Sequence, residues 1–285
     1  MKKRIFFVFL ILLFIMAGCS SKNNENELNN NNDVILNESD VVVFNDANLE
    51  ATVRSSIGKE SGDILGSDML NLHSLSLNKN NENGEVKDLT GLEYATNLSS
   101  ISILYNDIES LDPISNLKSL GYINISYGTI NDDITFGDLT ELASLSIIEV
   151  PIDDISFVSD LTSLTRLTFT RCGISDISAI KDLNNLESLN LEDNSISDIS
   201  ALKDKTKLTS LDLQSNQISD ISVLSTDISL ESVIISYNHV SDLSALMNLE
   251  NLYTVRIYED LDAKIASRTQ INALVTKGVD VYYHE

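Results

Sequence analysis

Basic residues are scarce in this chain: 19 Lys and Arg stand against 43 Asp and Glu, for a formal charge of −24. A surface of that sign repels phosphate backbones and anionic headgroups, which argues against nucleic acid as a partner and against membrane binding through bulk charge. Cysteine is nearly absent. The two present, Cys19 and Cys172, supply neither a disulfide framework nor a metal cluster. The three histidines, His73, His239 and His284, lie far apart, and none stands in a nucleophile–base pattern. No glycine-rich loop of the phosphate-cradling kind occurs. The N-terminal apolar run, residues 5–17, has 13 residues, short of the roughly 20 that a membrane-spanning helix needs. With 42% apolar residues and two prolines, the 285-residue chain is otherwise globular, with material for one sizeable core or two small ones.

What is present is a period. From Leu98 onward, lines of 22 residues open at Leu98, Leu120, Leu142, Leu164, Leu186, Leu208, Leu230 and Leu252. The three lines from Leu186 to Asn251 are the most regular. A first, longer line opens at Leu72, its excess placed in a loop over residues 79–85 with a turn at Asn83-Gly84. A fixed period in this range specifies a solenoid. In each line the pattern LxxLxL alternates, so it reads as a short strand with one buried face, stacked in parallel on its neighbours. Asn106, Asn194, Asn216 and Asn238 follow the strand at one position, where an inward amide satisfies backbone groups at the turn. Gly128, Val150 and Cys172 replace it in three lines, so those turns need other support. A small apolar thiol suits such a site, and Cys172 reads as a buried structural residue. The segment xISDISxL that follows is too short for a full helix and reads as a single 3₁₀ turn. The line from Leu120 is irregular at Asp132-Asp133-Ile134, where distortion is expected. The expected fold is therefore an α/β solenoid, with a parallel sheet on the concave face and short 3₁₀ or turn segments on the convex face.

A solenoid must cover both ends of its core. Residues 34–71 read as a helical N-terminal cap: Asn45 as the helix N-cap, Phe44 stapling onto Leu49, the face Leu49, Val53, Ile57, and Gly58 as the stop. Residues 260–285 read as a C-terminal cap, with a helix from Ser267 to Lys277 burying Ile271, Leu274 and Val275, then a strand at residues 279–283. The repeats occupy residues 72–259.

Two constellations invite a functional reading. Asp132, Asp154, Asp176, Asp198, Asp220 and Asp242 share one register position on the return side. Either they bind a divalent cation, or each accepts backbone amides of its own turn; a thermal melt with and without millimolar calcium separates the two. The second constellation is the outward strand face. It carries one patch of Leu104, Tyr105, Tyr122, Tyr127 and Ile148, and another of Ile234, Tyr237, Arg256 and Tyr258, with Arg166 and Arg171 between. Tyr and Arg are frequent interface anchors. These residues are the candidate partner-binding set; no catalytic or metal-binding residue and no cofactor is expected.

The N-terminus carries a third message. Lys2-Lys3-Arg4, the apolar run and Met16-Ala17-Gly18-Cys19 resemble a bacterial lipoprotein signal peptide over residues 1–18. The resemblance implies a Cys19 acylated with diacylglycerol (palmitate-type chains), exposed as the mature first residue and anchored to the cell membrane outside the cytoplasm. Residues 19–33 would be that lipidated cysteine and an Asn-rich tether. The repeat itself, with FNDANLEATVRSSIG at 44–58 and DLTGLEYATNL at 88–98, resembles internalin-type leucine-rich repeats of listerial surface proteins. That family's proline in the return segment appears here only as Pro113. The resemblance implies a non-catalytic surface protein, monomeric, that binds a host or bacterial surface protein through its concave face. The alternative is an accessory or structural envelope lipoprotein with no host partner.

Overall fold

The computed structural model describes residues 37–131, 133–137, 139–152, 154–258 and 268–283. The signal segment, Cys19, the tether, Asp132 and His284 lie outside the described residues.

The lines do stack as a parallel sheet. Ten strands follow one another without a crossover: β1 (Ser74–Asn78), β2 (Ser100–Leu104), β4 (Tyr122–Ser126), β6 (Ser144–Ile148), β7 (Arg166–Thr170), β8 (Ser188–Asn190), β9 (Ser210–Asp212), β10 (Ser232–Ile234), β11 (Thr254–Arg256) and β12 (Asp280–Tyr282). Each pairs in parallel with its neighbour, 22 residues on for every pair between β2 and β11. The missing numbers are a two-stranded sheet, β3 (Asp107–Ile108) with β5 (Thr129–Ile130). The period-2 alternation sets which face is buried: in β2, Ile101 and Ile103 enter the core while Ser100, Ser102 and Leu104 face out. One continuous core runs the length of the stack.

The return side is made of 3₁₀ turns, as at Asp112–Ile114, Ser156–Val158, Ser178–Ile180, Ser200–Leu202, Ser222–Thr226 and Ser244–Leu246. Each of Asp154, Asp176, Asp198, Asp220 and Asp242 accepts, through Oδ1, the amide of the serine two residues on, at 2.7 to 2.9 Å. The line from Leu120 lacks this turn in its described part. Asp133 takes a position that holds Ile155 or Ile177 in later coils and points to solvent. Phe136 packs edge-on to Phe157 at 5.7 Å, which in turn meets Phe169 at 6.2 Å.

The Asn column works through both ends of its amide. Asn216 Nδ2 donates to the carbonyls of Leu191, Leu213 and Gln214, and its Oδ1 accepts the Ile196 amide at 3.0 Å. Asn106, Asn194 and Asn238 repeat the scheme. At Gly128 and Cys172, where the amide is missing, the backbone takes over part of its role. At Gly128 a Cβ would lie 1.9 Å from the Asn106 carbonyl oxygen, so only glycine lets the coils close enough for β3 and β5 to pair. Cys172 Sγ takes the donor role toward Ile147 and Thr170, and the Cys172 carbonyl accepts the Ile152 amide. Burial pushes that thiol up to about 11, as expected of an inert structural cysteine.

The caps differ in detail from the sequence reading. Helix α1 (Ala47–Ile57) is capped by Asp46, not Asn45: its Oδ1 accepts the amides of Asn48 and Leu49, and its Oδ2 that of Lys87. A carboxylate suits the positive helix end and ties the cap to the first coil, while Asn45 donates to Asp88 at 3.0 Å. Leu49 and Val53 are buried and Gly58 ends the helix at φ 69°. A short helix, α2 (Gly66–Met69), leads into β1. At the other end α3 (Arg268–Thr276) buries Ile271 and Leu274, but Val275 is exposed, because a third apolar residue adjacent to Leu274 falls off the stripe. Among the described residues no helix is long and apolar enough to cross a membrane.

Candidate functional site on the concave face

The outward residues form rows across the sheet, because a parallel register brings equivalent positions side by side. The first row passes through Ser100, Tyr122, Ser144, Arg166 and Ser188. The next passes through Asn190, Asp212, Ile234, Arg256 and Tyr282. A third contains Leu104, Ser126, Ile148 and Thr170.

One step beyond the strands lies a fourth row that alternation alone does not describe. Tyr105, Tyr127, Glu149, Arg171, Asp193, Ser215 and Tyr237 all have positive φ, between 54° and 61°. Each holds this left-handed conformation, which costs a non-glycine residue about 1 kcal/mol or more, while donating its N–H to a carbonyl of the next coil at 2.6 to 3.1 Å. The row is a rim. Tyr105 and Tyr127 stack there, with centroids 4.9 Å apart and planes 13° from parallel, and remain 42% and 43% exposed. Further along, Arg171 bridges Glu149 at 2.8 Å and Asp193 at 2.9 Å.

The structure therefore divides the first candidate patch. Leu104 and Ile148 flank Ser126 at the strand ends, next to the tyrosine stack. Tyr122 sits at the start of β4, roughly 16 Å along the strand from Tyr127. It shares its row with Arg166, two coils away. The second patch is brought together. Ile234 and Arg256 are register partners, and the Arg256 guanidinium lies 5.7 Å from the Tyr282 ring centroid. The Tyr237 and Tyr258 backbones are hydrogen-bonded. Tyr282 was missed by the sequence reading, because its strand belongs to the cap and not to the 22-residue period. Asp212, in the same row, belongs to the outward face read from the sequence but not to the candidate partner-binding set. Burial raises its carboxyl above the usual range, the Gln214 amide and Arg256 oppose this, and nearby Glu192 adds to it. Among the described residues no group of three His, Cys, Asp or Glu is placed to hold a metal ion.

The comparisons with known proteins agree on architecture. The family described as Leucine Rich repeats (2 copies) matches residues 184–226. No curated protein matches the chain at significance. Among solved structures, internalin C2 of Listeria monocytogenes is similar at 24% identity over 85% of this chain and 94% of that one, with a TM-score of 0.62. The functional domain of InlJ from Listeria monocytogenes, which includes a cysteine ladder, is similar at 22% identity over 87% of this chain and 62% of that one, with a TM-score of 0.52. A chain in an octameric complex of latrophilin 3, Unc5D and the leucine-rich repeats of FLRT2 is similar at 19% identity over 74% and 69%, with a TM-score of 0.61. The fold is an internalin-like leucine-rich-repeat solenoid.

Proposed function

We propose that this chain is a lipid-anchored protein of the bacterial cell surface that holds a protein partner on its concave face and catalyses nothing. The observation that carries the reading is the Tyr105–Tyr127 stack: two aromatic rings kept in solvent, beside Leu104 and Ile148, on a rim built from strained backbone. Rigid, stacked tyrosines present large contact area at small entropic cost. The similar fold in the FLRT2 complex acts within an assembly of proteins, which supports the same use here. Arg166, Arg256 and Tyr258 extend the surface, and Arg171 offers the part of its guanidinium that its two carboxylates leave open. The anchor is Cys19, at the end of the lipoprotein-like segment.

The test is the pair Tyr105→Ala and Tyr127→Ala in the full chain. Circular dichroism and the melting curve stay unchanged, and capture of the partner from host or bacterial surface fractions is lost. Retained capture moves the site to the Arg256–Tyr282 patch. Absence of any partner in both fractions favours the accessory or structural lipoprotein. Separately, Cys19→Ser shifts the protein from the membrane fraction to the soluble one; continued membrane retention rejects the acyl anchor.

A further inference from the structure

A second column runs through the stack on the side of the 3₁₀ turns: Leu117, Leu139, Leu161, Leu183, Lys205, Asp227 and Leu249, one per coil and all buried. In two consecutive coils an ionisable side chain replaces leucine. Lys205 is 1% exposed and Asp227 0%. The Lys205 amide donates to Asp227 Oδ1 at 2.9 Å, and the Thr226 hydroxyl lies 3.3 Å from the same oxygen. The Lys205 ammonium turns toward the preceding coil, donating to the Lys181 carbonyl and lying 3.5 Å from Asn184 Oδ1. Asp227 Oδ2 is buried with no hydrogen-bond partner. The charged groups around the layer are Asp204 and Asp182, both acidic. On the concave side of the same seam lie Glu192 and the half-buried Asp212, with Gln214 Nε2 bound to Glu192 and the positive charge of Arg256 acting on Asp212.

We propose that the Lys205–Asp227 layer is an acid-tightened joint between the coil of residues 186–207 and the coil of residues 208–229, which parts more readily at neutral pH and closes when Asp227 binds a proton. An ionised carboxylate with one oxygen orphaned in the core is costly, and protonation removes the charge. Burial raises the Asp227 carboxyl to about 6, against the pull of the Lys205 amide and ammonium, whereas in an opened seam it returns toward the usual value near 4. The closed form therefore takes up the proton first, and closure gains as pH falls from about 8 to 5. Lys205 is pushed down by the same burial. Its own proton favours the open form, so a variant must separate the two groups.

The test is hydrogen exchange of the full chain at pH 8 and pH 5, corrected for intrinsic exchange. The reporters are the seam amides of Thr209 and Ser210, which donate to Glu187; the control amides are Thr165 and Arg166, which donate to Ala143 in an unbroken part of the column. Protection at the seam rises about tenfold toward pH 5, the ratio expected for a carboxyl moving from near 4 to near 6, and exceeds any change at the control. Asp227→Asn, neutral and of the same shape, is protected equally at both values. Lys205→Met moves the rise to higher pH by removing the opposing charge. A flat wild-type profile, or a tenfold rise that survives in Asp227→Asn, overturns the proposal.

Discussion

The two halves of the solenoid break different columns. In the N-terminal half the Asn column fails at Gly128, Val150 and Cys172, while the leucine column is intact from Leu117 to Leu183. In the C-terminal half the Asn column is complete at Asn194, Asn216 and Asn238, and the leucine column fails at Lys205 and Asp227. The repairs are unequal. A lost amide is replaced in part from the backbone, because carbonyls and N–H groups are available at every residue: the Cys172 carbonyl accepts Ile152, and β3 pairs with β5 once Gly128 lets them approach. A lost leucine has no such substitute, and Asp227 Oδ2 is left without a partner. Strand length follows the same division. β2, β4, β6 and β7 span five residues and β8 to β11 three; in β8 and β9 the Asn190 and Asp212 side chains bond the amides of Glu192 and Gln214 just beyond the strand end.

The largest effect should come from breaking the intact Asn column. Asn216→Ala orphans the buried Ile196 amide and takes one of two donors from each of the Leu191, Leu213 and Gln214 carbonyls, which keep Asn194 Nδ2, Asn238 Nδ2 and the Asp193 amide, a loss of about 2–4 kcal/mol by urea unfolding. Cys172→Ala, at the same column position, should cost about 1–2 kcal/mol, since the thiol's two contacts are weak and the backbone already supplies the acceptor. Equal losses at the two sites would show that the backbone repair is not a real substitute. Gly128→Ala should approach the Asn216→Ala loss, because its Cβ overlaps the Asn106 carbonyl.

A smaller effect of opposite sign is expected at the other column. Replacing Lys205 and Asp227 together by leucine restores the register of Leu183 and Leu249. The two side chains do not form an ion pair, so each carries its own burial cost; replacing buried ionic groups by packed apolar side chains is often stabilising by about 1–4 kcal/mol. Asp227→Leu alone leaves the Lys205 ammonium on its carbonyl and should gain less. A double variant less stable than the parent would mean that the charged layer contributes more than its orphan oxygen costs.

How much of this was legible follows the same physics. The strand alternation, the period and the Asp–Ser turns depend on contacts a few residues apart, or one period apart, so the sequence carries them in plain form. Asp46 was misread in favour of Asn45 because the deciding contact, the Lys87 amide, lies 41 residues away. The leucine column was legible but overlooked: Leu161, Leu183, Lys205, Asp227 and Leu249 stand 22 apart, yet the lines around Leu186 to Asn251 look most regular when only the LxxLxL and Asn positions are followed. The rim was half legible. Tyr105, Tyr127 and Tyr237 were picked for their type and placed on the strand face, whereas the left-handed turn carries them beyond it. Alternation could not separate Tyr122 from them, since it gives a face and not a position along the strand.

The smallest expected effect tests whether the rim's charged stretch works like its aromatic one. Arg171 sits between Glu149 and Asp193 as Tyr127 sits beside Tyr105, each one coil from its neighbour. All three charged side chains are well exposed, so solvent and salt screen the pairs. Arg171→Ala should leave the thermal midpoint unmoved within error at 150 mM salt, with at most a small loss at low salt. Capture of the partner reads the other role. A full loss of capture without a stability change makes Arg171 an anchor equal to the tyrosines. Unchanged capture confines the interface to the aromatic end of the rim and leaves the Glu149–Arg171–Asp193 chain as spacing between coils.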